Sequence, residues 1–216
     1  MWTFYSNLGD AAVTLPVAIV CAVWIAKTEL GLAYRWGLTL ACGMLLVGVT
    51  KVLYYAWGVS VPLAHFRVIS GHTMLSTAVW VVAFALVLRW WRQPVSPGIV
   101  AGLLLGAMTG MSRVHGHSHS VAEVLIGWTI GSIAAWVFLR LALRNEFRPF
   151  QPIWPTLCLL IVTSIAYGHR APFQDLIETK SAALRENTPT LVCALSRIRF
   201  PAVLPARGSS DKGSRS

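Results

Sequence analysis

The stretch SGHTMLSTAVWVVAFALVL, residues 70–88, joins a short polar motif to a long apolar run. Its apolar part, from Thr73 to Leu88, contains no Asp, Glu, Lys or Arg. A helix needs about 20 residues to cross the hydrocarbon core of a bilayer, with about 17 as the lower bound. With its flanking residues the stretch reaches that length, and we predict that it forms a membrane-spanning helix.

Five further apolar runs lie on either side of this one. Two of them are long enough to span a membrane by themselves, and the others reach the required length with their flanks. We therefore predict an all-α polytopic membrane protein, a six-transmembrane-helix bundle with a short C-terminal tail. In chain order the six runs are Ala11–Ala26, Trp36–Trp57, Thr73–Leu88, Pro97–Met111, Val121–Leu139 and Ile153–Tyr167.

The overall composition agrees with this class. The chain has 216 residues, of which 56% are hydrophobic and only 12% charged, and its mean hydropathy is +0.62. These values exclude a disordered chain, a coiled coil and a collagen-like repeat, and they argue against an ordinary soluble enzyme. The net charge of +10 would suggest nucleic acid in a soluble protein, but in a membrane protein it records topology and contact with anionic lipids. We expect no nucleic-acid partner.

The chain divides into two parts by composition. Residues 1–168 hold all six apolar runs and form the predicted membrane domain. Residues 169–216 are polar and carry eight Lys or Arg against four Asp or Glu. We predict that this second part is a basic C-terminal tail that is partly disordered.

Basic residues in the short loops predict the orientation. Loops on the side opposite the N-terminus contain seven Lys or Arg, and those on the N-terminal side contain far fewer. Because basic short loops stay in the cytoplasm, the N-terminal side is predicted to lie outside. In a bacterium this places the protein in the inner membrane with that side facing the periplasm. The seven residues are Lys27, Arg35, Arg89, Arg92, Arg140, Arg144 and Arg148.

Most polar residues of the membrane domain converge on that outer side. Ionisable groups in membrane spans are energetically costly, so they are candidates for function. Three cations could neutralise an anion such as phosphate, and a serine and a glycine begin a predicted helix, where backbone amides favour anions. The candidate phosphate-binding residues are Lys51, Arg67, Ser70, Gly71 and Arg113.

Two histidines and one carboxylate complete the set. His119 and Glu123 are four residues apart and therefore share one helix face. A carboxylate there can accept a hydrogen bond from one ring nitrogen and leave the other free as a nucleophile. His72 is available as a general acid for the leaving oxygen.

The histidines also permit a different interpretation. His115, His117 and His119 alternate along the loop, and imidazoles bind zinc or copper. The spacing is loose, and no cysteine or carboxylate cluster accompanies it. We predict no metal and no other cofactor, while a metal-binding or transporting membrane protein without enzymatic activity stays the alternative.

The order of these motifs resembles a known family. S-G-H at residues 70–72, followed by S-R-x5-H-x3-E at residues 112–123, is similar to the motifs of the type 2 phosphatidic acid phosphatase superfamily, the membrane lipid phosphate phosphatases related to vanadium haloperoxidases. The resemblance covers about residues 51–131. It implies a metal-independent phosphohydrolase in which His119 forms a phosphohistidine, Glu123 orients His119 and His72 protonates the leaving group.

Three departures from the family pattern are visible. The first family motif is K-x6-R-P, but Lys51 is followed seven residues later by Gly58, and Arg67 is the candidate substitute for the missing guanidinium. Ile69 stands where the family has proline, and Glu123 stands where it has aspartate.

These observations lead to one main expectation about function. We expect removal of phosphate from a lipid phosphate or diphosphate, with membrane lipids as surroundings and no obligate protein partner. A lipid phosphotransferase would use the same intermediate. A degenerate member that binds phosphate without turnover is a further alternative, because the first motif is incomplete.

Overall fold

The computed structural model describes residues 2–58, 66–144 and 151–168, and the predicted tail at 169–216 lies outside these ranges. The described residues form seven helices and no strand element. They are α1 (Trp2–Leu8), α2 (Ala11–Ala26), α3 (Leu30–Trp57), α4 (Gly71–Trp90), α5 (Ser96–His115), α6 (Val121–Ala142) and α7 (Ile153–Ala166).

Each of the six predicted apolar runs is helical, which confirms the all-α fold. The helices α3 to α6 are long and apolar enough to cross a membrane, and α1 with α2 passes the same test as one span bent by 44°. The last helix, α7, has 14 residues, so it is shorter than the span that the sequence predicts. Large apolar side chains such as Leu38, Leu45 and Val49 face outward on α3, as expected where lipid is the solvent.

Helix α4 is the centre of the bundle. It is buried on almost every side, and fourteen of its twenty residues are inaccessible. A helix that is apolar all round is typical of a protein core or of a membrane span. Since α4 begins immediately after Ser70, the central helix also fixes the place of the S-G-H motif.

The glycines of α5 allow this helix to lie against α4 at very short distance. A Cβ at Gly98 or Gly102 would overlap the α4 backbone at Phe84 or Val81. Glycines recur every four residues along α5, at 98, 102, 106 and 110, and this spacing is typical of one helix face in close contact with another helix. On the other side of α4, Gly127 of α6 lies against the backbone carbonyl of Ser70.

The alternating direction of the helices brings several of their ends together. The ends of α3 and α5 and the beginnings of α4 and α6 lie at one end of the bundle. The bend between α1 and α2 is at the same end, where Asp10 contacts His72. The ring centroids of Phe4 and Tyr167 are 5.8 Å apart, so the end of α7 also lies on this side.

Candidate active site

The Glu123 carboxylate is the most highly connected group at this end of the bundle. Its side chain is 1% exposed. One oxygen, Oε1, accepts hydrogen bonds from the backbone N–H of Arg67 at 2.8 Å and of Val68 at 3.3 Å. The other, Oε2, lies 2.8 Å from His119 Nδ1 and accepts from the backbone N–H of Ser120 at 3.2 Å. Burial of a carboxylate is costly unless it is hydrogen-bonded, and these four partners satisfy it.

The local sequence explains how Glu123 reaches this position. Ser120 is the N-cap of α6, and its hydroxyl accepts from the Glu123 N–H at 3.3 Å, which completes a capping box. The backbone carbonyl of Glu123 also accepts from the N–H of Ser70 at 3.3 Å. One residue therefore joins the start of α6 to the segment before α4.

This geometry fixes the tautomer of His119. Because a carboxylate only accepts hydrogen bonds, Nδ1 carries the proton and Nε2 keeps its lone pair. Burial lowers the pKa of His119 from 6.5 to about 4, against the opposing effect of Glu123. A histidine with this pKa is neutral at pH 7, which is the form that can attack phosphorus.

Two of the predicted cations act on both histidines. Lys51, near the end of α3, and Arg113, near the end of α5, contribute to the electrostatic environment of His72 and of His119. The Arg113 guanidinium also donates to Ser6 Oγ at 3.4 Å. These positive charges therefore lie where the two candidate catalytic side chains lie, as an anionic substrate requires.

The third predicted cation, Arg67, lies against the carboxylate. Its Nε is 3.8 Å from Glu123 Oε1, and its side chain is 53% exposed. The position that the family pattern gives to arginine is Gly58, which ends α3 with φ of +69°, a conformation that glycine adopts without strain. Arg67 therefore forms an ion pair with Glu123, and its binding of phosphate stays a prediction.

The S-G-H motif lies at the start of α4 as predicted from its sequence. Ser70 is the N-cap residue and Gly71 the first helical residue. The Ser70 hydroxyl is buried and hydrogen-bonds with Thr73 Oγ1 at 2.9 Å. The backbone N–H groups of this first turn are the donors that α4 offers to an anion.

His72 has a partner that the sequence did not indicate. Its Nε2 is 3.3 Å from Asp10 Oδ2, with side chains 24% and 13% exposed. Asp10 lies at the break between α1 and α2, more than sixty residues away in the chain. The only clue in the sequence was the scarcity of acids, since Asp10 is one of four between residues 1 and 168.

The three loop histidines diverge. His115 stacks near the Trp2 ring with centroids 5.2 Å apart, and His117 is exposed with φ of +53°. His119 uses its Nδ1 for Glu123. Within residues 2–58, 66–144 and 151–168, no three His, Cys, Asp or Glu side chains converge in an arrangement that could hold a metal ion.

An apolar groove lies beside this site. It has a volume of about 560 Å³ and lies between α1, α5 and α6. Its wall includes His115 from the end of α5 and Val121 and Val124 from the start of α6, which are close in the chain to His119 and Glu123. The rest of the lining is Trp2, Ala107, Met111, Val114, Leu125 and Trp128.

Comparison with known proteins agrees with the motif order. Residues 54–147 match the PAP2 superfamily. A relative from Klebsiella pneumoniae, described as an uncharacterized 22.5 kDa protein in the cps region, is 30% identical over 183 residues, which are 82% of this chain and 88% of the relative. No solved structure matches the chain. The family match includes His72, Arg113, His119 and Glu123, and the chain belongs to the PAP2 superfamily.

Proposed function

We propose that the protein is a membrane phosphohydrolase that removes phosphate from a lipid phosphate or diphosphate through a phosphohistidine on His119. Membership of the PAP2 superfamily supports a phosphatase-type function. The observation that carries the finer proposal is the buried Glu123 carboxylate that holds His119 Nδ1 at 2.8 Å. This contact leaves Nε2 as the only ring nitrogen with a free lone pair.

The proposed reaction has two displacements. His119 Nε2 attacks phosphorus, the bond from phosphorus to the leaving oxygen breaks, and His72 donates a proton to that oxygen. Water then attacks the phosphohistidine, phosphate is released, and His72 recovers its proton from the water. Lys51, Arg113 and the first-turn amides of α4 stabilise the charge on the phosphoryl oxygens.

The apolar groove supports a lipid as the substrate. It adjoins the phosphate-handling side chains and is lined almost entirely by apolar residues. Each buried methylene group contributes about 0.8 kcal/mol to binding. A hydrocarbon chain in the groove therefore adds affinity for the substrate and does not alter the phosphoryl chemistry. We propose that the groove receives the hydrocarbon tail nearest to the phosphate.

Phosphate release from a panel of lipid phosphates tests this function directly. The purified protein in detergent is assayed with EDTA present, and a radiolabelled lipid acceptor in the same mixture separates hydrolysis from transfer. We expect release that survives chelation. Release that requires a metal, or no release from any lipid phosphate or diphosphate, would contradict the proposal.

Filling the groove is expected to separate lipid from soluble substrates. In Ala107→Phe we expect the KM for a long-chain lipid phosphate to rise about tenfold, the equivalent of 1.4 kcal/mol. The kcat/KM for a short-chain phosphate should change little, because the phosphoryl site is intact. Ala101→Phe is the matched control, since Ala101 is exposed on the same helix and does not line the groove. Equal effects on both substrates would reject the groove as the tail site.

We propose further that the active site faces the periplasm of a bacterial inner membrane. The loops at the opposite end of the bundle are rich in basic residues, and such loops stay in the cytoplasm. In a variant without the native cysteines, Ser118→Cys marks the α5–α6 loop and Gln93→Cys marks the α4–α5 loop, and both residues are exposed. A membrane-impermeant maleimide should label Ser118→Cys in intact cells and Gln93→Cys only after permeabilisation. The reverse pattern would place the site in the cytoplasm.

A further inference from the structure

The geometry points to Asp10 as a positioning residue that holds His72 for proton delivery to the leaving group. This inference rests on the proposed function. Asp10 lies outside the motifs that the family resemblance provides, and the contact between Asp10 Oδ2 and His72 Nε2, at 3.3 Å, is what assigns it.

The carboxylate of Asp10 divides its two oxygens between two tasks. Oδ1 accepts from the Ala12 N–H at 2.9 Å and thereby caps α2. Oδ2 faces His72. A carboxylate fixed by a helix cap has little freedom to rotate, so the same hydrogen bond that begins α2 also orients the oxygen that contacts His72.

The first helix holds Asp10 in this place. The Leu8 carbonyl accepts from Trp80 Nε1 of α4 at 3.0 Å, and the Tyr5 carbonyl accepts from Thr109 Oγ1 of α5 at 3.2 Å. A side chain at Gly9 would overlap the Thr109 side chain, so glycine is what allows the bend to approach α5. The N-terminal segment is thus attached to α4, which carries His72, and to α5.

The charges around His72 explain how the contact with Asp10 can act. Lys51 and Arg113 both act on His72, and two cations oppose a proton on an imidazole ring. Asp10 supplies a negative charge in contact with the ring, which opposes the effect of the two cations. With Nε2–H donated to Asp10, Nδ1 is the nitrogen that delivers the proton to the leaving oxygen and recovers one from water.

The test compares two leaving groups in Asp10→Asn. An alkyl phosphate lipid needs a proton on its leaving oxygen, whereas p-nitrophenolate leaves readily as an anion. General acid catalysis contributes about 10²-fold or more, so we expect kcat/KM to fall by about that factor for the lipid phosphate and by much less for p-nitrophenyl phosphate. Asparagine is as good an N-cap as aspartate, so α2 keeps its cap.

Two controls separate positioning from a general structural effect. We expect Asp10→Asn to add little loss to His72→Ala, because two residues that act as one unit are not additive. Glu29→Gln removes the acid that precedes α3 and contacts neither histidine, so both substrates should react at the wild-type rate.

The outcomes are distinct. The inference is supported if Asp10→Asn and His72→Ala both lose much more kcat/KM on the lipid phosphate than on p-nitrophenyl phosphate. Equal loss on both substrates, additive losses in the double variant, or full activity of Asp10→Asn on the lipid phosphate would overturn it, while the proposed function stands if wild-type release still requires His119. Absence of phosphate release by the wild-type protein would instead overturn the proposed function.

Discussion

His119→Ala is expected to lower phosphate release from lipid phosphates by at least about 10³-fold, as removal of a catalytic nucleophile does in enzymes that form covalent intermediates. The physical reason is that no other imidazole in the described part of the chain has its Nδ1 fixed by a buried carboxylate. The measurement is the initial rate of phosphate release in detergent, with folding checked by size-exclusion chromatography and thermal denaturation.

His117→Ala is the matched control for this prediction. His117 belongs to the same loop but is exposed, so its removal should leave the rate within about twofold, as for surface substitutions that disturb no contact. A His119→Ala protein that keeps its activity would remove the nucleophile from the scheme. A His117→Ala protein that loses activity to the same degree would show that the loop, and not His119, is required.

The second large effect is expected for Glu123→Gln. The amide would donate a hydrogen bond to His119 Nδ1 and would therefore favour the tautomer with the proton on Nε2. In that tautomer Nε2 has no free lone pair and cannot attack phosphorus. Loss of the carboxylate that fixes a catalytic histidine tautomer costs about 10⁴-fold in the hydrolase triad, and we expect about 10³ to 10⁴-fold here. The substrate KM should change less, because both carboxylate oxygens of Glu123 are engaged by His119 and by backbone N–H groups.

Glu123→Asp provides the informative comparison. Aspartate keeps the charge and stands at this position in the family pattern, but its carboxylate would withdraw from His119 by about the length of one methylene. We expect an intermediate rate, with most of the activity that Glu123→Gln loses restored. If Glu123→Gln were as active as the wild type, the orienting role of the carboxylate would be wrong.

Hydropathy predicted the helical part of the fold well, for a clear physical reason. A membrane helix must satisfy its own backbone hydrogen bonds over a fixed thickness, so runs such as Thr73–Leu88 have few other options. The glycines of α5 also carry local information, because their four-residue spacing places them on one helix face, where α4 lies close. Run length was less informative for α7, whose 14 residues fall short of a full span.

The candidate site likewise contains one contact that the sequence could predict and one that it could not. The i, i+4 spacing of His119 and Glu123 is a local property, so the sequence indicated their contact directly. The contact between Asp10 and His72 depends on how the bend between α1 and α2 packs against α4 and α5. That packing depends on hydrogen bonds to backbone carbonyls and on the close approach of Gly9 to α5, and no short sequence motif predicts these contacts.

Arg67 illustrates an intermediate case. Its position three residues before Ser70 placed it next to the S-G-H motif, but the spacing could not say which partner its guanidinium has. The structure places it 3.8 Å from Glu123 Oε1, where it supports the carboxylate that holds His119. The missing first-motif arginine is likewise explained by Gly58, whose positive φ ends α3.

The central claim is that His119 becomes covalently phosphorylated, and rapid-quench trapping tests it most directly. The protein is mixed with a lipid phosphate carrying radioactive phosphorus, quenched under alkaline denaturing conditions, digested and mapped by mass spectrometry. We expect a phosphoryl group on His119 that is stable in alkali, labile in acid and absent from His119→Ala. Turnover without any phosphorylated histidine, or with the label on another residue, would contradict it.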